Sequence, residues 1–142
     1  MSKPAPQVGY LLKQAQSLLH LRMEEALRPL QLTVSHYSCM FHLRLEPGIS
    51  ASELARRTFV TRQSMNVMLQ QLIDRDLAAR PPHAESGRAL PSELTPDGAD
   101  VLDAAQLLVT EVEQQMLSGM DDAGRVALGQ ALAACVVALA EP

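Results

Sequence analysis

Residues 50–75 read SASELARRTFVTRQSMNVMLQQLIDR, and two helices joined by a tight turn are legible in them. Ser50, with Glu53 three residues on, has the form of a capping box: a hydroxyl acceptor answered by a carboxylate. Ala51, Leu54 and Ala55 then share the inner face of a short helix. Thr58-Phe59-Val60 makes the turn. Thr61 can cap a longer helix that runs to about Arg75. At about 100° per residue, its apolar positions Met65, Met68, Leu69, Leu72 and Ile73 gather on one side. The opposite side carries Gln63, Asn66, Val67 and Gln70, with Arg62 near its edge.

The same reading extends in both directions. Upstream, Thr33 is a plausible cap for a helix reaching about Leu45, with Tyr37, Met40, Phe41 and Leu45 along one side. Glu46-Pro47-Gly48 stops it. Before that, Val8, Leu11, Leu12, Ala15, Leu18, Leu19, Met23, Ala26, Leu27 and Leu30 recur at spacings of three and four, a long amphipathic helix over 8–30. Pro29 disturbs its last turn. Downstream, residues 77–80 and 88–94 flank a turn-rich tip, which predicts a two-stranded hairpin, with Pro91 confining its second strand to an edge. Thr95-Pro96-Asp97-Gly98 starts another helix: a cap, a proline at the first helical position, an acid in the first turn. Ser118-Gly119 ends it. Asp121 caps a last helix whose stripe is Leu128, Leu132, Cys135 and Leu139.

The expected fold is therefore mainly α with a small β-wing: a winged helix-turn-helix over about 33–95, flanked by dimerisation helices at 8–30 and 98–140, all in a single domain, 1–142. In such a unit the second helix lies in the DNA major groove. The amides Gln63, Asn66 and Gln70 suit adenine edges, and Arg62 suits guanine or phosphate. Charge supports this. The whole chain is acidic, at −4. Residues 56–92, however, carry six arginines against three acids, while 93–142 carry one arginine against nine acids. A phosphate-binding surface needs only a local basic patch. The expected DNA-contacting set is Arg56, Arg57, Thr61, Arg62, Gln63, Ser64, Asn66, Gln70, Arg80 and Arg88. The alternative is a winged-helix module whose basic face meets an acidic protein partner.

A resemblance to a known family sharpens the expectation. In order, the chain has a Leu-Thr helix start (Leu32, Thr33), a Pro-Gly stop (Pro47, Gly48), Ser-Glu-Leu-Ala (52–55), Thr-Arg-x-Ser opening the recognition helix (61–64), and an Arg-flanked wing closed by Leu-Thr-Pro-x-Gly (94–98). With this order and spacing the chain resembles the MarR family of bacterial transcriptional regulators, over nearly its whole length. The resemblance implies a homodimer on a pseudo-palindromic operator in double-stranded DNA, a repressor released by a small-molecule effector. It also implies an effector site between the dimerisation helices and the winged unit, lined by Ser17, His20, His36, Tyr37, Met40 and Arg44. The chain departs from the family pattern at three places. The wing tip keeps one arginine, in Ser86-Gly87-Arg88; Val67 stands where mid-helix arginine is usual; and Asp76 stands where glycine is usual, in a position that needs a left-handed backbone.

Independently of family, the burial arithmetic predicts a dimer. The apolar stripes at 8–30, 99–117 and 126–139 exceed what one small domain covers, and large exposed apolar patches are rare on monomers. A monomeric bundle folded back on itself is the competing arrangement. The other readings are negative. No Gly-rich phosphate loop, carboxylate pair or nucleophile elbow points to an enzyme. No cofactor is expected. His36, Cys39 and His42 recur at three-residue spacing, but a fourth metal ligand is not evident, so no metal is assigned. Cys39 and Cys135 read as structural core thiols, which suits a reducing cytoplasm. No apolar run is expected to reach the roughly 20 residues of a bilayer span, and no apolar leader opens the chain.

Overall fold

A computed structural model describes residues 7–80 and 91–142. The predicted strand residues 88–90 and the wing tip, including Arg88, lie outside them. Helix α1 spans Val8–Leu27 and passes into a 3-10 turn at Arg28–Leu30, with Pro29 at its start. Gln31 closes that turn with a left-handed backbone, φ 56°. Then follow α2 (Val34–Leu45), α3 (Ala51–Thr58), α4 (Arg62–Asp74), β1 (Ala78–Ala79), β2 (Glu93–Leu94), α5 (Pro96–Met116) and α6 (Asp122–Ala140). The strands pair antiparallel, Ala78 opposite Leu94 and Ala79 opposite Glu93. Pro91 precedes this short ladder rather than sitting in it.

Most helix starts follow from side-chain caps. Thr33, Ser50, Thr61, Thr95 and Asp121 each accept a backbone N–H from three residues on, satisfying donors that a helix start leaves open. One expectation is corrected. The reciprocal capping box lies at Thr33, where His36 Nδ1 accepts from the Thr33 N–H at 3.2 Å. At Ser50 the hydroxyl caps Glu53 N, at 3.1 Å, while the Glu53 carboxylate turns to Arg56 and Arg57. Asp76 has the left-handed backbone expected of it, φ 58°.

The core gathers α2, α3, α4 and α5. Cys39, Met40, Leu43, Leu54, Met65, Leu69, Leu72, Leu102 and Ala105 are fully buried. On α2 the inner face is Cys39, Met40 and Leu43; Leu45 points to solvent and Tyr37 and Phe41 sit at the margin. The start of α5 is pressed onto the chain before the wing. Thr95 donates through its hydroxyl to Asp76 O (2.6 Å) and through its N–H to Leu77 O (3.2 Å). A Cβ at Gly98 would overlap that same Leu77 carbonyl, so glycine is required there for close approach.

The last helix behaves otherwise. No residue of α6 is buried, and Leu132, Val136, Val137 and Leu139 are exposed. The folded-back bundle is therefore not the arrangement adopted. Cys135, expected in a core, is exposed in the single chain. Helix α6 is also long and apolar enough, by length and composition, to cross a membrane, contrary to the expectation that no such run exists. Its two glycines, Gly124 and Gly129, and Gln130 break the run visually without making it polar.

Candidate nucleic-acid interface

Helix α4 is held in place from both ends and from beneath. At its start Thr61 caps Ser64 N at 3.0 Å, and the two hydroxyls hydrogen-bond at 2.9 Å. At its end Arg75 donates to the Gln31 and Leu30 carbonyls, at 2.7 and 3.2 Å, tying α4 to the turn after α1. Beneath, Met65, Leu69 and Leu72 are fully buried. On its flank His36 Nε2 lies 2.8 Å from Gln71 Oε1. Because His36 Nδ1 accepts from Thr33 N–H, Nε2 carries the proton of the neutral ring and donates to Gln71.

This leaves Gln63, Val67, Gln70 and Gln71 facing outward. Gln63 is exposed. Gln70 is exposed as well and donates to Asp74 Oδ1 at 2.9 Å. Val67, at 53% exposure, is the apolar centre of the face. Arg62 and Ser64 are exposed on the first turn. Asn66 differs from the expectation of an outward amide. It is half-buried, and its Oδ1 is buried with no hydrogen-bond partner among the described residues. It stands about 90° round the helix from the centre of the core face, so it belongs to the flank. A groove of about 500 Å³ runs beside this face, lined by Gln63, Ser64, Val67 and Gln71 with Ser35 and Val60.

The arginines divide. Arg56 is exposed and pairs with Glu53. Arg57 is held by two acids, Glu46 and Glu53, each at 3.2 Å, which offsets much of its charge. Arg80 is half-buried at the entry to the wing, with Nε buried and unpartnered among the described residues. Arg88 is among the residues not described. Sequence reasoning missed Ser35, Gln71 and the structural use of Arg75; their roles depend on which helices meet, and no local pattern marks them.

The six residues expected around an effector are dispersed. An open cavity of about 610 Å³ does lie between α1, α2 and α5, and Tyr37 lines it. Met40 is fully buried in the core. His36 faces Gln71, and Arg44 faces α5, 2.8 Å from Asp103 Oδ1. Ser17 and His20 are exposed on α1, with His20 3.6 Å from Glu24. The His36, Cys39, His42 series does not converge either: His42 Nδ1 is bonded to Ser38 O at 2.8 Å, and Cys39 packs its thiol 3.7 Å from Met65 sulfur. Among the described residues no group of three or more metal-ligating side chains comes together.

Comparisons with known proteins agree with this architecture. Residues 30–89 match the family model described as MarR family. The HTH-type transcriptional repressor Rv2887 of Mycobacterium tuberculosis is 38% identical over 111 residues, 78% of this chain and 80% of that protein; a repressor of Mycobacterium bovis, Mb2911, aligns equally. The Rv2887 structure in complex with DNA superposes with a TM-score of 0.80 at 32% identity, covering 93% of this chain and 98% of that one. Its complex with salicylic acid gives 0.76 at 33% identity, covering 95% and 99%. Escherichia coli MarR complexed with operator DNA shares the fold, with a TM-score of 0.80 at 21% identity over 92% of this chain and 94% of that one. A capped helix with an amide face, a short antiparallel wing and three flanking helices, seen in a chain this similar to Rv2887, establish that the protein belongs to the MarR family.

Proposed function

We propose that this protein is a transcriptional repressor that binds a pseudo-palindromic operator in double-stranded DNA as a homodimer and is released by a small molecule. It acts as a binding protein in the cytoplasm, not as a catalyst. The observation that carries the reading is the outward face of α4. Gln63 and Gln70 are presented on a helix whose orientation is held by Arg75, His36 and the Thr61 cap. Amides in the major groove can pair bidentately with adenine. Arg62 at the first turn contacts phosphate and sets the register, and Arg56, Arg80 and Arg88 add further phosphate contacts. Arg57 contributes less, because Glu46 and Glu53 already pair with it.

The lobe from 33 to 95 binds DNA, and the helices at 8–30 and 98–140 form the dimer. A second copy covers the apolar surface of α6 and places the two α4 helices about 10 bp apart, one turn of DNA. Effector binding between α1, α2 and α5 changes that spacing.

The test is a salt titration of duplex binding by fluorescence anisotropy, with Gln63→Ala beside the parent. Affinity for random duplex should fall steeply, with a log–log slope of about −0.9 for each phosphate contacted. Gln63→Ala should cost about 1–3 kcal/mol on the preferred site and leave random binding unchanged. A protein that bound no duplex at low salt would overturn the reading and favour an acidic protein partner for the basic face.

A further inference from the structure

The cavity between α1, α2 and α5 has a chemistry of its own. Its wall carries two aromatic rings, Tyr37 and Phe41, whose centroids are 6.4 Å apart with planes inclined by 36°. Met23, Val34 and Val109 supply apolar surface. The lining includes one charged side chain, Glu113, and no lysine or arginine. Glu113 makes no ion pair among the described residues. The neighbouring guanidinium, Arg44, is already engaged: it lies 2.8 Å from Asp103 Oδ1 and donates to Gln106 Oε1 (3.2 Å) and Ala99 O (2.9 Å). Burial pushes the Tyr37 phenol up and the nearby Glu113 charge adds to it, while a Gln106 hydrogen bond and the Arg44 charge pull the other way.

An anionic aromatic ligand in this cavity would meet a free carboxylate and no free cation. A cationic one would meet that carboxylate and two aromatic side chains, the residue types that together recognise ammonium groups. Pockets of this size bind by an apolar body and a few placed polar groups. We propose that the effector of this protein is an aromatic ammonium compound, with its ring against Tyr37 and Phe41 and its positive charge toward Glu113. The ligand class thus differs from the salicylic acid in the complex of the mycobacterial relative. The inference rests on the ligand-responsive reading above for its role, and on the cavity alone for its chemistry.

Isothermal titration calorimetry on the full-length protein tests it, with benzyltrimethylammonium and phenylacetate as probes of similar shape and opposite charge. The ammonium probe should bind at least about tenfold more tightly, since that ratio needs only about 1.4 kcal/mol, which the Glu113 charge and a cation–π contact supply together. Glu113→Gln, an exposed position on α5, should remove the preference, leaving the two probes within about threefold. Tighter or equal binding of phenylacetate would overturn the proposal. So would an ammonium preference unchanged in Glu113→Gln, or no binding of either probe. Duplex binding measured on the same samples separates the two readings. Intact DNA binding without ammonium preference removes this inference alone, whereas ammonium preference in a protein that ignores DNA keeps the cavity chemistry and removes the regulator.

Discussion

The lobe between Thr33 and Thr95 and the helix α6 are both rich in aliphatic residues, yet the lobe is closed and α6 is bare. In the lobe, three short helices of 12, 8 and 13 residues pack together. Each offers one face, and the faces close on one another and on α5 around Met40, Leu54, Leu69 and Leu102. Helix α6 is 19 residues long and apolar on all sides, and it buries nothing. The difference teaches that apolarity alone does not bury a helix. Burial needs a facing surface, and among the described residues none closes over α6. A second copy of the chain supplies the missing surface in the reading proposed above, since an exposed patch of this extent is unusual on a monomer.

The comparison breaks hardest at Gly98. Ala there must push α5 away from the Leu77 carbonyl, so Gly98→Ala should cost about 3 kcal/mol, read as a lower urea midpoint with an unchanged slope. A near-parental midpoint would mean the α5 start can slide without disturbing the lobe.

Next in size is Leu132→Glu on α6. It touches no core residue of the lobe, so thermal unfolding of a monomer should change little. Sedimentation should show dissociation, and operator affinity should fall at least about tenfold as the two α4 helices lose their linkage. A monomeric variant with undiminished operator affinity would remove the two-fold mechanism.

The two cysteines sharpen the contrast. Burial pushes the Cys39 thiol up to about 12, whereas Cys135 is exposed on α6. A thiol reagent at pH 8 should label Cys135 first and reach Cys39 only on unfolding, because the thiolate is the reacting species. Labelling of Cys135 should speed up in Leu132→Glu if a second copy shields it. The sign of the pH effect follows from the same shift. Above the ordinary thiol value of 9.0 the unfolded chain gives up its proton and the folded one does not, so stability declines as pH climbs from about 9. Urea midpoints at pH 8 and 10.5 for the parent and Cys39→Ala would reveal it as a steeper decline in the parent, the remainder in Cys39→Ala coming from groups such as Tyr37, whose phenol is also pushed up.

The smallest effect belongs to Gly129, where nothing lies within 4 Å of an added Cβ. Gly129→Ala should stabilise α6 by about 0.5–1 kcal/mol through helix propensity. A loss instead would place Gly129 at a close contact between copies.

How much of this was legible beforehand divides by distance along the chain. Caps act over three residues, so Thr33, Ser50, Thr61, Thr95 and Asp121 declared themselves as hydroxyl or carboxylate acceptors before apolar periodicity. Helical spacing put Met65, Leu69 and Leu72 on one face, and the left-handed Asp76 was implied by the resemblance, which has glycine there. Those are properties of local backbone chemistry, and the sequence by itself determined them. Other contacts join residues tens of positions apart: His36 with Gln71, Arg75 with Leu30 and Gln31, Arg44 with Asp103 and Gln106. Whether such side chains face each other depends on the rotation and crossing of whole helices, which no spacing encodes. That is why Asn66 fell to the flank, why Met40 is sealed in the core and Arg44 faces Asp103, and why the apolar α6 stands uncovered. The tertiary structure alone decided them, because packing chooses among faces that periodicity can only list.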